Sequence, residues 1–114
     1  MSSSETILSQ QTHPGDSTTE SVTGDKYKGD GYYGRSDGFH TVQYTYTGLI
    51  GTITIYATLA IDPTDDDWFE VHSYSTSSVE TGSKFANFTG NYVWIRANIT
   101  NWTDGTVDSI KLNH

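Results

Sequence analysis

From residue 39 onward apolar and polar residues alternate with a period of two, the pattern of strands that bury one face. In 40–47, Val42, Tyr44 and Tyr46 alternate with Thr41, Gln43 and Thr45; in 52–61, Ile53, Ile55, Ala57, Leu59 and Ile61 alternate with residues that are mostly Thr and Tyr. Two strands are expected. Between them, Thr47-Gly48-Leu49-Ile50-Gly51 favours a short hairpin connection, although a strand crossing between sheets would leave the same trace. The run 62–67, with Pro63 and four Asp, breaks the pattern, because Pro cannot donate to a ladder and clustered Asp favours turns. A third strand over 68–75 would put Phe69 and Val71 on one face and Trp68, Glu70, His72 and Tyr74 on the other. The Ser/Thr-rich stretch 76–88 leaves room for one or two short strands near Val79 and Phe85. In 91–100 a central strand is expected, with Val93, Ile95, Ala97 and Ile99 facing one way and Tyr92, Trp94 and Arg96 the other. Asp104-Gly105 is a favoured hairpin dipeptide, so 106–112, bearing Val107, Ile110 and Leu112, should close the sheet. No segment beyond about ten residues shows helical spacing, and the sum is an all-β antiparallel sandwich of six to eight strands.

The first 26 residues read differently. Ser, Thr, Gln and acidic residues dominate 2–25, with only Ile7, Leu8 and Val22 as sizeable apolar side chains. Such a segment buries too little on its own to offset its ordering entropy. It is expected to be an extended or flexible N-terminal arm (1–26), ordered where it meets a partner, preceding a sandwich domain (27–114). The glycine-rich run 29–38 is a looped entry to that domain. Gly29, Gly31 and Gly34 match the spacing of a dinucleotide fingerprint, but no strand–helix context surrounds them, so they read as turn residues.

Composition narrows the function. The 114 residues fit one domain, and three Trp and eight Tyr imply a small, aromatic-rich core. Six Lys and Arg against fourteen Asp and Glu give a net charge of −8, which repels phosphate backbones, so nucleic acid is not an expected partner. There is no Cys, hence neither a disulfide framework nor a Cys-ligated zinc site. The start lacks the basic and apolar regions of a signal peptide, and no stretch nears the roughly 20 apolar residues of a membrane helix. A protein made in a cytoplasm, without a membrane partner, is expected.

Candidate chemistry is sparse. Asp62, Asp65, Asp66 and Asp67 offer the oxygen ligands that calcium prefers, but without the glycine and distal Glu of an EF-hand loop they read first as a solvated turn. His13, His40, His72 and His114 are scattered, and no nucleophile elbow, carboxylate pair or His-rich metal spacing accompanies them, so no enzyme and no cofactor are expected. The Asn-X-Thr triplets at Asn87, Asn98 and Asn101 are attributed to the abundance of Thr. Tyr56, Trp68, Trp94 and Trp102, with Arg96 and Asn98 near them, form the one set suited to stacking on a sugar ring or filling a subunit interface.

The run 29–114 resembles small virion structural proteins of T4-like phages, especially those of cyanobacteria. The likeness is carried by Asp37-Gly38-Phe39-His40-Thr41-Val42, Gly51-Thr52-Ile53, Ala57-Thr58-Leu59, Asp67-Trp68-Phe69, Thr89-Gly90-Asn91-Tyr92-Val93-Trp94-Ile95-Arg96-Ala97 and Gly105-Thr106-Val107. The stretch from Gly90 through Ala97, followed by Asn101-Trp102-Thr103-Asp104-Gly105-Thr106-Val107, is also similar to the closing strands of jelly-roll carbohydrate-binding and discoidin-like modules. The phage resemblance implies a non-enzymatic virion component, a head decoration protein or a tail or neck accessory. It would act as a homo-oligomer or bind other phage structural proteins. The alternative is a carbohydrate-binding module that uses exposed aromatics to hold a glycan.

Overall fold

The computed structural model describes residues 4–13, 15, 18–29, 39–76, 78–90 and 92–113. Gly31, Gly34 and His114 lie outside them. Eight strands form one antiparallel sheet: β1 (Ser4–Leu8), β2 (Gln11–Thr12), β3 (Glu20–Thr23), β4 (Tyr27–Lys28), β5 (Phe39–Thr58), β6 (Phe69–Ser75), β7 (Glu80–Thr89) and β8 (Trp94–Asn113). A 3-10 turn, Asp65–Asp67, precedes β6. Among the described residues no helix is long and apolar enough to cross a membrane.

The sheet is four strands wide. β5 and β8 run side by side through its centre; β1 to β4 follow one another along the free edge of β8, and β6 then β7 follow one another along the free edge of β5. At about 3.3 Å per residue a straight 20-residue strand would reach about 66 Å, yet the molecule is 44 Å in its longest dimension. Both long strands therefore bend at mid-length, and the sheet doubles over into two layers. The first holds β1, β2, β7, residues 39–47 of β5 and 106–113 of β8. The second holds β3, β4, β6, residues 52–58 of β5 and 94–100 of β8.

The fold line is marked in every strand that crosses it. Register between β5 and β8 slips at Thr45/Tyr46, Thr47/Ile50 and Ile50/Thr52, and Gly48, Asn101 and Gly105 have positive φ. Such bulges bend a strand and raise its twist. Alongside, the break between β6 and β7 is patched by Thr76, whose hydroxyl donates to Leu49 O (2.8 Å) and accepts from Gly51 N (3.1 Å). Two sequence expectations are corrected here. Neither 47–51 nor Asp104-Gly105 is a hairpin: each is a bulged crossing within one long strand. The slip changes which residues face inward, from Val42, Tyr44 and Tyr46 to Leu49, Ile53, Ile55 and Ala57 along β5, all of them buried.

One core lies between the layers. Ile95, Ala97, Ile99, Trp102, Val107, Ile110 and Leu112 of β8 face the β5 set, and Ile7 and Leu8 join from β1. In β6, Tyr74, His72 and Phe69 pair with the core residues Ile53, Ile55 and Ala57, and Val71 packs against the core between them. Phe69, 41% exposed, therefore shares a side with His72 and Tyr74, contrary to the expected separation, because a bulge at Val71, between the pairs of Ile55 and Tyr56, breaks the alternation. In place of the one or two short strands expected in 76–88, the described residues form a ten-residue strand, β7, that runs on to Thr89. The layers close at one end through aromatic contacts: His40 stacks on Phe88 at 5.1 Å, and Tyr92 lies 6.0 Å from Phe88 and 5.6 Å from Phe69.

Candidate functional site

The outer face of the second layer gathers most of the residues singled out from the sequence. Alternation along β8 sends Ile95, Ala97 and Ile99 into the core and Trp94, Arg96 and Asn98 outward. Trp94 stands between Lys28 and Thr58, Arg96 beside Tyr56, and Asn98 between Thr23 and Thr54. Glu70 of β6 is paired with Tyr56 on the far side.

The 59–68 connection folds over this face. Its turn is held by the Asp67 carboxylate, which accepts from the backbone N–H of Thr64 (2.8 Å) and from the Thr64 hydroxyl (3.2 Å). The Trp94 indole N–H donates to Ile61 O at 2.8 Å and ties the connection to β8. Trp68, at the end of the turn, then lies over Arg96, whose guanidinium carbon is 4.3 Å from the Trp68 ring centre and 5.9 Å from that of Tyr56. Lys26 Nζ sits 4.7 Å from the centre of the Trp94 ring. Under this cover Thr54 and Thr58, though on the outward side, are buried.

Two polar atoms in the cluster have no partner. Arg96 Nε and Asn98 Oδ1 are buried and make no hydrogen bond, and among the described residues no ion pair joins Arg96 to a carboxylate. A cleft of about 310 Å³ is lined by Glu5, Lys26, Tyr27, Lys28 and Trp94. Lys26, Lys28 and Arg96, three of the six Lys and Arg residues of the chain, thus surround Trp94.

Trp102 does not belong to this set. It is 3% exposed in the core, its N–H donating to Asp104 O at 3.0 Å and its ring meeting His13 edge-on at 5.3 Å. The slip at the fold line places it inward, and period-two counting through 101–105 misses that. The Asp62, Asp65, Asp66 and Asp67 loop has its Asp67 engaged as the turn cap, and among the described residues no three His, Asp or Glu side chains converge as a metal site. His13 accepts from Gly15 N at Nδ1 (2.9 Å) and contacts Thr18 O through Nε2 (2.9 Å).

A second polar cluster has no trace in the sequence pattern. Where β5, β6 and β7 meet, the hydroxyls of Tyr46 and Tyr74 both donate to Glu80 Oε2, and Tyr44 Oη lies 3.0 Å from His72 Nε2. Those phenol hydrogen bonds hold the Glu80 carboxyl below its usual range. Burial, then the hydrogen bond to Glu80, pushes the Tyr46 phenol up, and burial raises Tyr44. Burial also lowers His72. These shifts favour the ionised Glu80 carboxylate and the neutral Tyr44, Tyr46 and His72 side chains, the forms that suit a polar bolt between the layers.

No protein-family model matches the sequence, and no curated protein matches it. Among solved structures, the chain is similar to the K1 cleaved adhesin domain of Lys-gingipain from Porphyromonas gingivalis W83, with TM-score 0.53, 8% identity, and 98% and 97% of the two chains covered. A chain of infectious bursal disease virus, Gt strain, matches at TM-score 0.51 and 11% identity over 99% of this chain and 31% of the viral one. A family 29 carbohydrate-binding module from Piromyces equi matches at TM-score 0.49 and 14% identity, with 97% and 90% covered. At these identities the likeness is one of fold: an all-β antiparallel sandwich.

Proposed function

We propose that the chain is a non-catalytic structural module that works by associating with other chains, as a component of a phage particle. The observation that carries this reading is a set of exposed apolar side chains. Leu59, Ile61 and Phe69 are 63%, 72% and 41% exposed and belong to the connection between β5 and β6 and the first residue of β6. Val79 and Phe85, at 63% and 69%, stand along β7. Large apolar groups left in water on a small acidic domain mark surfaces that other proteins cover. The phage assignment itself rests on the resemblance of 29–114 to small virion proteins; the sandwich fold, shared with a viral chain and an adhesin domain, accommodates it.

The test is the mass in solution by light scattering. The full chain is expected to form an oligomer that falls to a monomer in the double variant Leu59→Asp/Ile61→Asp, with its near-ultraviolet circular dichroism unchanged. A wild-type monomer that also fails to bind any protein of its own particle would overturn the reading. Saccharide binding is the second reading, favoured by the gathering of Tyr56, Trp68 and Trp94 on the second layer's outer face.

A further inference from the structure

We infer that copies of the chain associate head to tail, the 59–69 connection of one docking on the outer face of the first layer, around Phe85, of the next; this rests on the proposal that the module works by association. The two surfaces belong to different layers. Leu59 and Ile61 follow the end of β5 in the second, whereas Phe85 stands on β7 in the first.

Alternation builds the receiving face. Ala86 and Phe88 of β7 pack against the core, so Phe85 points away from it and is 69% exposed. Its cross-strand partner is Gln43, and beyond Gln43 lies Lys111. The polar side chains around Phe85 are short and tied to one another: the Thr41 hydroxyl donates to Asn87 Oδ1 (2.7 Å) and Gln43 Nε2 to Ser83 Oγ (3.2 Å). Groups that already satisfy each other lose little when water is taken away. The result is a flat floor with one raised aromatic side chain, which a protruding apolar connection can cover.

Charge selects which surface meets which. Residues 59–70 hold five of the fourteen Asp and Glu and no Lys or Arg; Arg96 and Lys26, stacked on Trp68 and Trp94, offset only two of them. Two such connections meeting about a two-fold axis would set like charge against like around Leu59 and Ile61, which opposes association. The Phe85 face is the complement. Residues 41–45, 83–87 and 109–113 contain two Lys and no Asp or Glu. The nearest carboxylates are turned elsewhere: Glu80 to Tyr46 and Tyr74, Glu5 to the cleft with Lys26, and Asp108 to the Thr47 hydroxyl at the fold line (2.9 Å). A Phe85 face paired with itself would leave Leu59 and Ile61 in water, whereas the head-to-tail contact covers both apolar sets at once. Contacts of this kind close into a ring or run on as a filament.

The experiment is complementation between two surface variants of the full chain, read by light scattering across a dilution series. Leu59→Asp/Ile61→Asp keeps the receiving face and Phe85→Asp keeps the connection, so each alone is expected to be a monomer. Their equimolar mixture is expected to give a one-to-one dimer of twice the monomer mass. Thermal melts check folding, and Phe85→Thr, which keeps a strand-forming side chain, replaces Phe85→Asp if that variant does not fold. Lys111→Glu is expected to weaken wild-type association by about fivefold at low salt, and to have little effect near 1 M salt, where charges are screened beyond about 3 Å. A Phe85 variant that stays oligomeric, a mixture that stays monomeric, or a Lys111→Glu chain that associates like wild type at low salt would each overturn the head-to-tail contact while leaving association itself standing. A wild-type monomer also overturns it; the broader reading then falls only if the chain binds no other protein of its particle.

Discussion

Glu80 is the residue on which the inter-layer polar cluster turns. It accepts from two phenols at once, and those bonds strengthen when it is ionised, which is why its carboxyl titrates below the ordinary value of 4.5. His72 is displaced in the same direction for another reason, since burial penalises the imidazolium and lowers it from 6.5. Both shifts act on stability with one sign. A group whose folded pKa lies below its unfolded value binds more protons when unfolded, so acid favours the unfolded chain. The contribution of His72 is complete above about pH 6.5 and is lost as pH falls through its folded pKa; that of Glu80 is complete above about pH 4.5 and is lost lower still. Melting temperatures should therefore fall in two stages on acidification. His72→Gln is expected to flatten the first stage and Glu80→Gln the second, and a wild-type curve level from pH 7.5 to 5 would contradict the role given to His72.

At the scale of elements, the crossing of each long strand from layer to layer is the decisive feature, and Gly105 shows what it requires. Its φ is 91°, and a Cβ there would lie 2.3 Å from the backbone oxygen of Gly48 on the neighbouring crossing. Gly105→Ala is expected to cost about 2 kcal/mol or more, because a disfavoured backbone conformation and a backbone clash add. Gly15→Ala, with φ 76° but nothing within 4 Å, should cost about 1 kcal/mol from the backbone alone; chemical denaturation separates the two. The same crossings bound what was legible in the sequence. Strand positions follow from the alternation of Val42, Tyr44 and Tyr46 or of Ile95, Ala97 and Ile99, since each residue declares its own preference for water. Whether Gly48 to Gly51 turns a chain back or carries it onward depends on which distant strand pairs beyond it, and no local residue encodes that. Hence the hairpins favoured at 47–51 and at Asp104-Gly105 are crossings, and Trp102 lies in the core. Of the candidate site, Tyr56, Trp94 and Arg96 were legible because they share an alternating face. Lys26 and the Glu5-lined cleft were not, because β1 and β4 meet β8 only through long-range pairing.

At the scale of the whole molecule, the N-terminal residues complete the sandwich. Alone, 2–25 bury too little to order, but β8 offers 20 residues of edge, and β1 to β4 take their backbone hydrogen bonds from it in both layers. Ile7 and Leu8, 1% and 7% exposed, are the apolar anchors. Removing an anchor and removing the strand should therefore have different consequences. Ile7→Ala leaves β1 its ladder and creates a cavity, so stability is expected to drop by about 2–4 kcal/mol with no change of mass in solution. Deleting residues 1–12 takes away β1 and β2, opens the core beside Leu112 and Val107 and leaves the β8 edge in the first layer unpaired. A long exposed edge recruits strands from other chains, so the deleted chain is expected to associate in light scattering even when it carries Leu59→Asp/Ile61→Asp. If instead it stays monomeric and folded in that background, β8 needs no cover, and the N-terminal strands contribute packing around Ile7 and Leu8 without protecting an edge.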